Sequence, residues 1–160
     1  MDKKKVQQLP NLKESLIASQ EEDVLELDEL WSFVRTRKNK QWVWVALCRR
    51  TRQVVAFVIG NRGEESCRKL WNKIPASYKH CRTYSDFWEA YEKVFDAKTH
   101  RSVGKETGET AHIERWNNTL RQRISRYVRK TLSFSKKGVW HHMVTKLFIY
   151  NYNISIAVKM

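Results

Sequence analysis

With 160 residues, 31 Lys and Arg against 17 Asp and Glu, and a formal charge of +14, the chain has the length of one domain and is strongly basic. A hydrophobic content of 41% with seven tryptophans excludes a disordered polycation and supplies material for a packed core. No apolar run near 18 residues and no apolar segment behind Met1–Lys5 is present, so neither a membrane span nor a secretory signal is expected, and the cytoplasm is the expected compartment. Cys48, Cys67 and Cys81 are odd in number and contain no C-x-x-C pair, which argues against a disulfide framework or a zinc site.

Residues 1–23 are polar without a sustained period and read as a tail or linker remnant, so the fold is expected to begin near Val24. Three β-type runs follow, 25–34, 41–50 and 53–59, rich in Val, Trp and Phe. Short polar connections between them predict an antiparallel meander. The stretch 64–74 reads as a helix stopped by Pro75, and a short strand over 80–85 comes next. Phe87, Tyr91, Val94 and Phe95 recur at helical spacing, and a fifth strand is expected over 98–103. Helices over about 110–130 and 136–152 complete a domain of residues 24–153, with 154–160 as a C-terminal tail. The order β-β-β-α-β-α-β-α-α is mixed α/β with a five-stranded sheet, the sequence layout of a ribonuclease H-like domain.

Three acids occupy chemically suggestive places in that layout, although each has an ordinary explanation. Asp28 lies within the first strand, where strand alternation sets it with Glu26 opposite Leu25, Leu27, Trp31 and Phe33; a half-exposed edge strand would also account for it. Glu29 falls on the apolar side, and a bulge could re-aim it. Asp86 follows the fourth strand directly before a helix, where it would serve as an N-cap with Glu89 completing a capping box. Glu114 sits in the first turn of the long helix, where an acid complements the helix dipole. Phosphodiester chemistry uses two divalent cations about 4 Å apart, and carboxylates hold Mg²⁺ while leaving room for water and phosphate. An acid on strand one, one after strand four and one on a later helix fit that need.

Four stretches extend the pattern: Leu27–Val34, Tyr84–Tyr91, His112–Arg121 and Arg129–Lys136. Together they resemble the insertion sequence 1 family of bacterial transposases over roughly residues 24–153. The resemblance implies a DDE transposase with Asp28, Asp86 and Glu114 as catalytic metal ligands, and two Mg²⁺ ions for which Mn²⁺ substitutes. It also implies cleavage at element ends and transfer of the freed 3′-hydroxyl into target DNA. The family's full-length enzyme joins an upstream DNA-binding frame, with zinc-finger and helix-turn-helix parts, to such a catalytic frame. This chain looks like the downstream frame read alone, so that upstream module is an expected partner and a homo-oligomer is compatible with synapsis of two ends.

From Arg115 onward the sequence holds no acidic residue, and a surface of one sign is a candidate phosphate-binding face. Arg121, Arg123, Arg126, Lys130, Lys136 and Lys137 are the expected contacts to double-stranded DNA. Arg121, seven residues after Glu114, lies on the same helical rail. Two other readings fit the same residues: a silent DNA-binding fragment that regulates transposition, and a ribonuclease H-like nuclease or junction resolvase. No nucleophile activated by a side-chain base is evident, so metal-activated water or a DNA hydroxyl is the expected attacking group.

Overall fold

The computed structural model describes residues 10–127 and 135–160. Its sheet is built from β1 (Val24–Phe33), β2 (Lys40–Cys48), β3 (Val54–Gly60), β4 (Arg82–Ser85) and β5 (His100–Ser102) in the spatial order β3-β2-β1-β4-β5. The first three strands are antiparallel, and β4 and β5 join parallel, as the mixed ribonuclease H-like reading requires. The α-helices are α1 (Glu64–Lys73), α2 (Glu89–Val94), α3 (Ala111–Arg123) and α4 (Gly138–Lys159). None of the described helices is long and apolar enough to cross a membrane.

Strand alternation divides the core into two layers. Leu25 and Leu27 of β1 pack with Cys67 and Leu70 of α1 and Ala90 and Tyr91 of α2. Leu30 of β1 points the other way and packs with Ile113, Trp116 and Leu120 of α3 and Ile149 of α4. Burying a side chain such as Leu25 or Leu70 completely stabilises by about 2 kcal/mol, so the helices are held mainly by these apolar stripes. Two consequences bear on function. β1 is the central strand rather than an edge strand, so its acids are enclosed instead of solvated. Its register with β2 is unbroken from Leu25 to Phe33, so no bulge re-aims Glu29; the irregularity lies between β2 and β3 at Ala46/Leu47.

Helix boundaries depart from expectation in three places. α2 begins at Glu89, because the Asp86 carboxylate accepts the Trp88 N–H at 3.0 Å and closes a turn that delays the helix. α3 stops at Arg123 and gives way to a 3₁₀ turn at Ser125–Tyr127, while 128–134 lie outside the described residues. α4 continues to Lys159, through the stretch expected as a tail.

Residues 10–23 also pack onto the domain. Gln53 donates to the Ser15 carbonyl and accepts the Ile17 N–H, each in a contact below 3 Å. Asn153 of α4 accepts the Val54 N–H and donates to the Val54 carbonyl, both at 2.9 Å. Its amide thus behaves as one residue of an additional strand along the outer edge of β3.

Candidate active site

β1 and β4 diverge at the candidate site. Their parallel pairing runs from Val24↔Arg82 to Glu26↔Tyr84, a constant separation of 82 − 24 = 58 residues. The same separation relates Asp28 to Asp86, 86 − 28 = 58, so these two acids stand across from each other just beyond the last paired residues. Carboxylate oxygens of Asp28, Glu29 and Asp86 all lie within 4.8 Å of one another. Glu114 is outside that tight set, but it is close enough for its charge to raise the pKa of Asp28.

Asp28 bears the electrostatic cost of the arrangement. Burial is the largest reason that its pKa is pushed up to about 7, and the neighbouring charges of Glu29, Asp86 and Glu114 add to it. Its polar partners are the Glu29 N–H at 2.9 Å and the Asn117 amide of α3, which donates at 2.7 Å. Asn117 keeps its oxygen Oδ1 buried without a hydrogen-bond partner among the described residues. Crowded carboxylates beside an unpartnered amide oxygen form an all-oxygen donor set that suits a hard divalent cation.

The two glutamates of β1 are differently provided for. Glu29 accepts from Arg62 at 3.0 Å and from the buried Tyr91 hydroxyl at 2.6 Å. Arg62 is held between the rings of Trp42 and Trp88, 4.6 and 4.3 Å from their centroids. Burial still raises the Glu29 pKa, with Asp86 adding to it, against the opposing pull of Tyr91 and Arg62. Glu26 is fully buried and accepts the His112 and Ile113 N–H groups at the start of α3, at 2.9 and 3.3 Å. It also accepts from His112 Nδ1 at 2.7 Å and Arg49 at 3.1 Å. Glu26 therefore fastens the first turn of α3, and with it Glu114, onto the strand that carries Asp28. Within that turn Thr110 Oγ1 makes a long contact of 3.4 Å to Glu114.

Strand alternation puts Glu26 beside Asp28, but the donors that hold it come from elsewhere in the chain. A signal was present: an acid two residues before Asp28 on the same face needs a buried partner once β1 is central. Two buried clusters pair hydroxyl groups with a histidine, and nothing in the sequence marks them. Ser32 and Ser135 both contact the His141 ring, at 2.8 and 3.0 Å, and His100 lies between Thr83 and Ser85 at 2.8 and 3.1 Å. All of these residues are buried, and burial pushes both histidines down to about 4, so they act as neutral hydrogen-bonding struts. The three cysteines are buried and free.

Of the expected DNA contacts, Arg121 and Arg126 are partly exposed, and Arg123, Lys136 and Lys137 are exposed. Lys130 lies outside the described residues. The segment carrying Lys136 is tied to the end of β1: Ser135 bridges to Val34, its carbonyl accepts the Arg35 N–H at 2.8 Å, and Arg35 Nε donates to the Lys136 carbonyl at 2.9 Å. Arg35 adopts φ 64°, a left-handed conformation uncommon for a non-glycine residue. Next to the acids, a cavity of about 390 Å³ is lined by Asp86, Arg62, Trp88 and Lys105 together with Phe87, whose ring is 67% exposed.

Residues 23–154 match the sequence model of the family described as IS1 transposase. The insertion element iso-IS1n protein InsB of Shigella dysenteriae is 37% identical over 128 residues, covering 79% of this chain and 93% of that protein. The insertion element IS1 protein InsB of Shigella flexneri is 35% identical over 119 residues, covering 74% and 88%. An InsB protein of Escherichia coli K12, from insertion element IS1 4, is 34% identical over 119 residues, covering 74% and 69%. With this match across the whole sheet and the acids it carries, the chain belongs to the IS1 family of transposases, and its role lies in transposition.

Proposed function

We propose that this chain is the catalytic domain of a metal-dependent DDE transposase that cleaves at the ends of its element and joins the freed 3′-hydroxyl to target DNA. The observation that carries the reading is the approach of Asp28 and Asp86 within a carboxylate cluster at the divergence of β1 and β4. Asp28, Asp86 and Glu114 would hold the divalent cations, two Mg²⁺ or Mn²⁺, with Glu29 as the adjoining acid. Bound there, such ions supply an activated oxygen nucleophile at neutral pH and stabilise the leaving oxygen.

The protein's own groups prepare the site. Asn117 fixes the Asp28 carboxylate, Glu26 sets the position of α3, and Arg62 with Tyr91 fixes the Glu29 carboxylate at the side of the cluster. Phe87 offers an apolar ring to nucleic acid beside Asp86, where aromatic faces stack on bases. Arg121, Arg123, Arg126, Lys130, Lys136 and Lys137 bind the phosphate backbone, and the upstream DNA-binding module supplies recognition of the ends. The same reading sets the domain at 24–153, with residues 10–23 packed against it and α4 running on to Lys159.

The test is strand cleavage of cognate element ends, with Mg²⁺ or Mn²⁺, by the chain joined to its upstream module. Glu114→Gln keeps side-chain size but removes a ligand charge. It should leave folding and DNA binding intact while lowering cleavage by about 10³-fold, an effect of about 4 kcal/mol on the barrier. Equal cleavage by both proteins, or cleavage that persists in chelator, overturns the reading.

A further inference from the structure

Three partly buried arginines in the loops after β2 and β3 are each paired with an acid. Arg49 has Glu26 and Glu109, Arg50 has Asp23, and Arg62 has Glu29. Elsewhere several cations gather around one cleft without an acid. At the outer edge of β3 a cavity of about 560 Å³ is lined by Lys13, Lys73, His142 and Lys146, with no carboxylate among its lining residues. The four come from three separate parts of the fold: the 3₁₀ turn Leu12–Ser15, the last residue of α1, and α4, where His142 and Lys146 are one turn apart. Phe57 of β3 forms the floor, with its ring 5.6 Å from that of His142 and 5.9 Å from Lys73 Nζ.

These cations act against one another. Burial pushes the Lys73 and His142 pKa values down, and Lys146 lowers both further; Lys73 also acts on His142. An anion that enters the cleft removes this repulsion, whereas an apolar or cationic ligand does not. The cleft is also remote from the acids, because β2 separates β3 from β1, a displacement of about 10 Å across the sheet.

We propose that this cleft is a second phosphate-binding site that takes a phosphodiester of duplex DNA apart from the strand held at the carboxylate cluster. The choice of DNA over other anions rests on the function proposed above, and on charge: the remaining surplus of the chain favours an extended polyanion that also passes beyond the cleft.

The ring protons of His142 report occupancy directly. In the full chain carrying Asp28→Asn, so that no strand is cut, a short random-sequence duplex should raise the His142 titration midpoint by about one unit, the size expected for a nearby opposite charge. The double substitution Lys73→Glu, Lys146→Glu should abolish that rise and lower the slope of log affinity against log salt by about one or more. A duplex that binds with normal affinity while His142 stays unmoved overturns the cleft alone and leaves the catalytic reading standing. A rise with inorganic phosphate but none with duplex makes it a small-anion site and also overturns the proposal. Failure of the duplex to bind at all overturns both readings.

Discussion

Glu26 and Asp28 are two residues apart on one face of one strand, and the difference between them separates an acid that builds the domain from one available for chemistry. Glu26 is surrounded by donors: Arg49, His112 and the first N–H groups of α3. Asp28 has one amide, one backbone N–H and three neighbouring acids, with a pKa raised to about 7. Burial raises the pKa of both carboxyls; at Glu26 the Arg49 and α3 donors pull against it, whereas at Asp28 the neighbouring acids add to it. The repulsion at Asp28 is what a bound cation would remove.

The comparison can be broken most directly by exchanging charge for an isosteric amide. Asp28→Asn should reduce metal-dependent cleavage of element ends by about 10³-fold or more, roughly 4 kcal/mol, with DNA binding retained. Loss of DNA binding in parallel would instead mark Asp28 as a structural acid.

A pH titration sharpens the same contrast in the metal-free protein. The folded pKa of Asp28 lies above its unfolded value, so between about pH 4 and 7 the folded state binds the proton more tightly. Stability from this group is therefore fully present below pH 4 and is lost as pH rises through 7. The loss amounts to at most about 4 kcal/mol, three pKa units at 1.36 kcal/mol each. Denaturant midpoints should fall over that window in wild type and more weakly in Asp28→Asn; identical profiles would contradict the assignment.

For Glu26 the expected effect is on folding. Glu26→Ala leaves Arg49 and the start of α3 without their shared acceptor and should cost about 3 kcal/mol, read from urea denaturation with the slope unchanged. A cost below about 1 kcal/mol would show that α3 is held by Ile113, Trp116 and Leu120 alone.

The smallest expected effect comes from the cation. Mg²⁺ or Mn²⁺ at about one hundred times its dissociation constant should stabilise the wild-type chain by about 2.7 kcal/mol, seen as a raised melting temperature. Asp28→Asn and Asp86→Asn should lose that rise, whereas Arg49→Lys should keep it.

The sequence carried the strand order of the meander and the two layers of the core, because Val, Trp and Leu alternate with period two in β1 to β3 and recur at helical spacing in α3. Asp28 and Asp86 were legible as a pair because each sits at a place where the fold class puts one. The seat of Glu29 was not: whether an acid on the apolar face turns inward depends on Tyr91 and Arg62, which come from elsewhere in the chain and pair only in three dimensions. The start of α2 was misplaced for a local reason, since Asp86 can cap a helix or close a turn with Trp88 and the residue types are the same for both. The end of α4 had no marker, as no Gly or Pro follows Gly138.

The side chain of Asn153 has a consequence for the molecule away from the candidate site. A strand at the border of a sheet offers unpaired N–H and C=O groups to any extended segment that drifts past, including the same strand of another copy. By occupying both groups of Val54, Asn153 shuts the first rung of that ladder. A version of the chain cut ahead of residue 153, or one with Asn153→Leu, would reopen the rung and self-associate edge to edge, so the last turns of α4 protect the chain from aggregation.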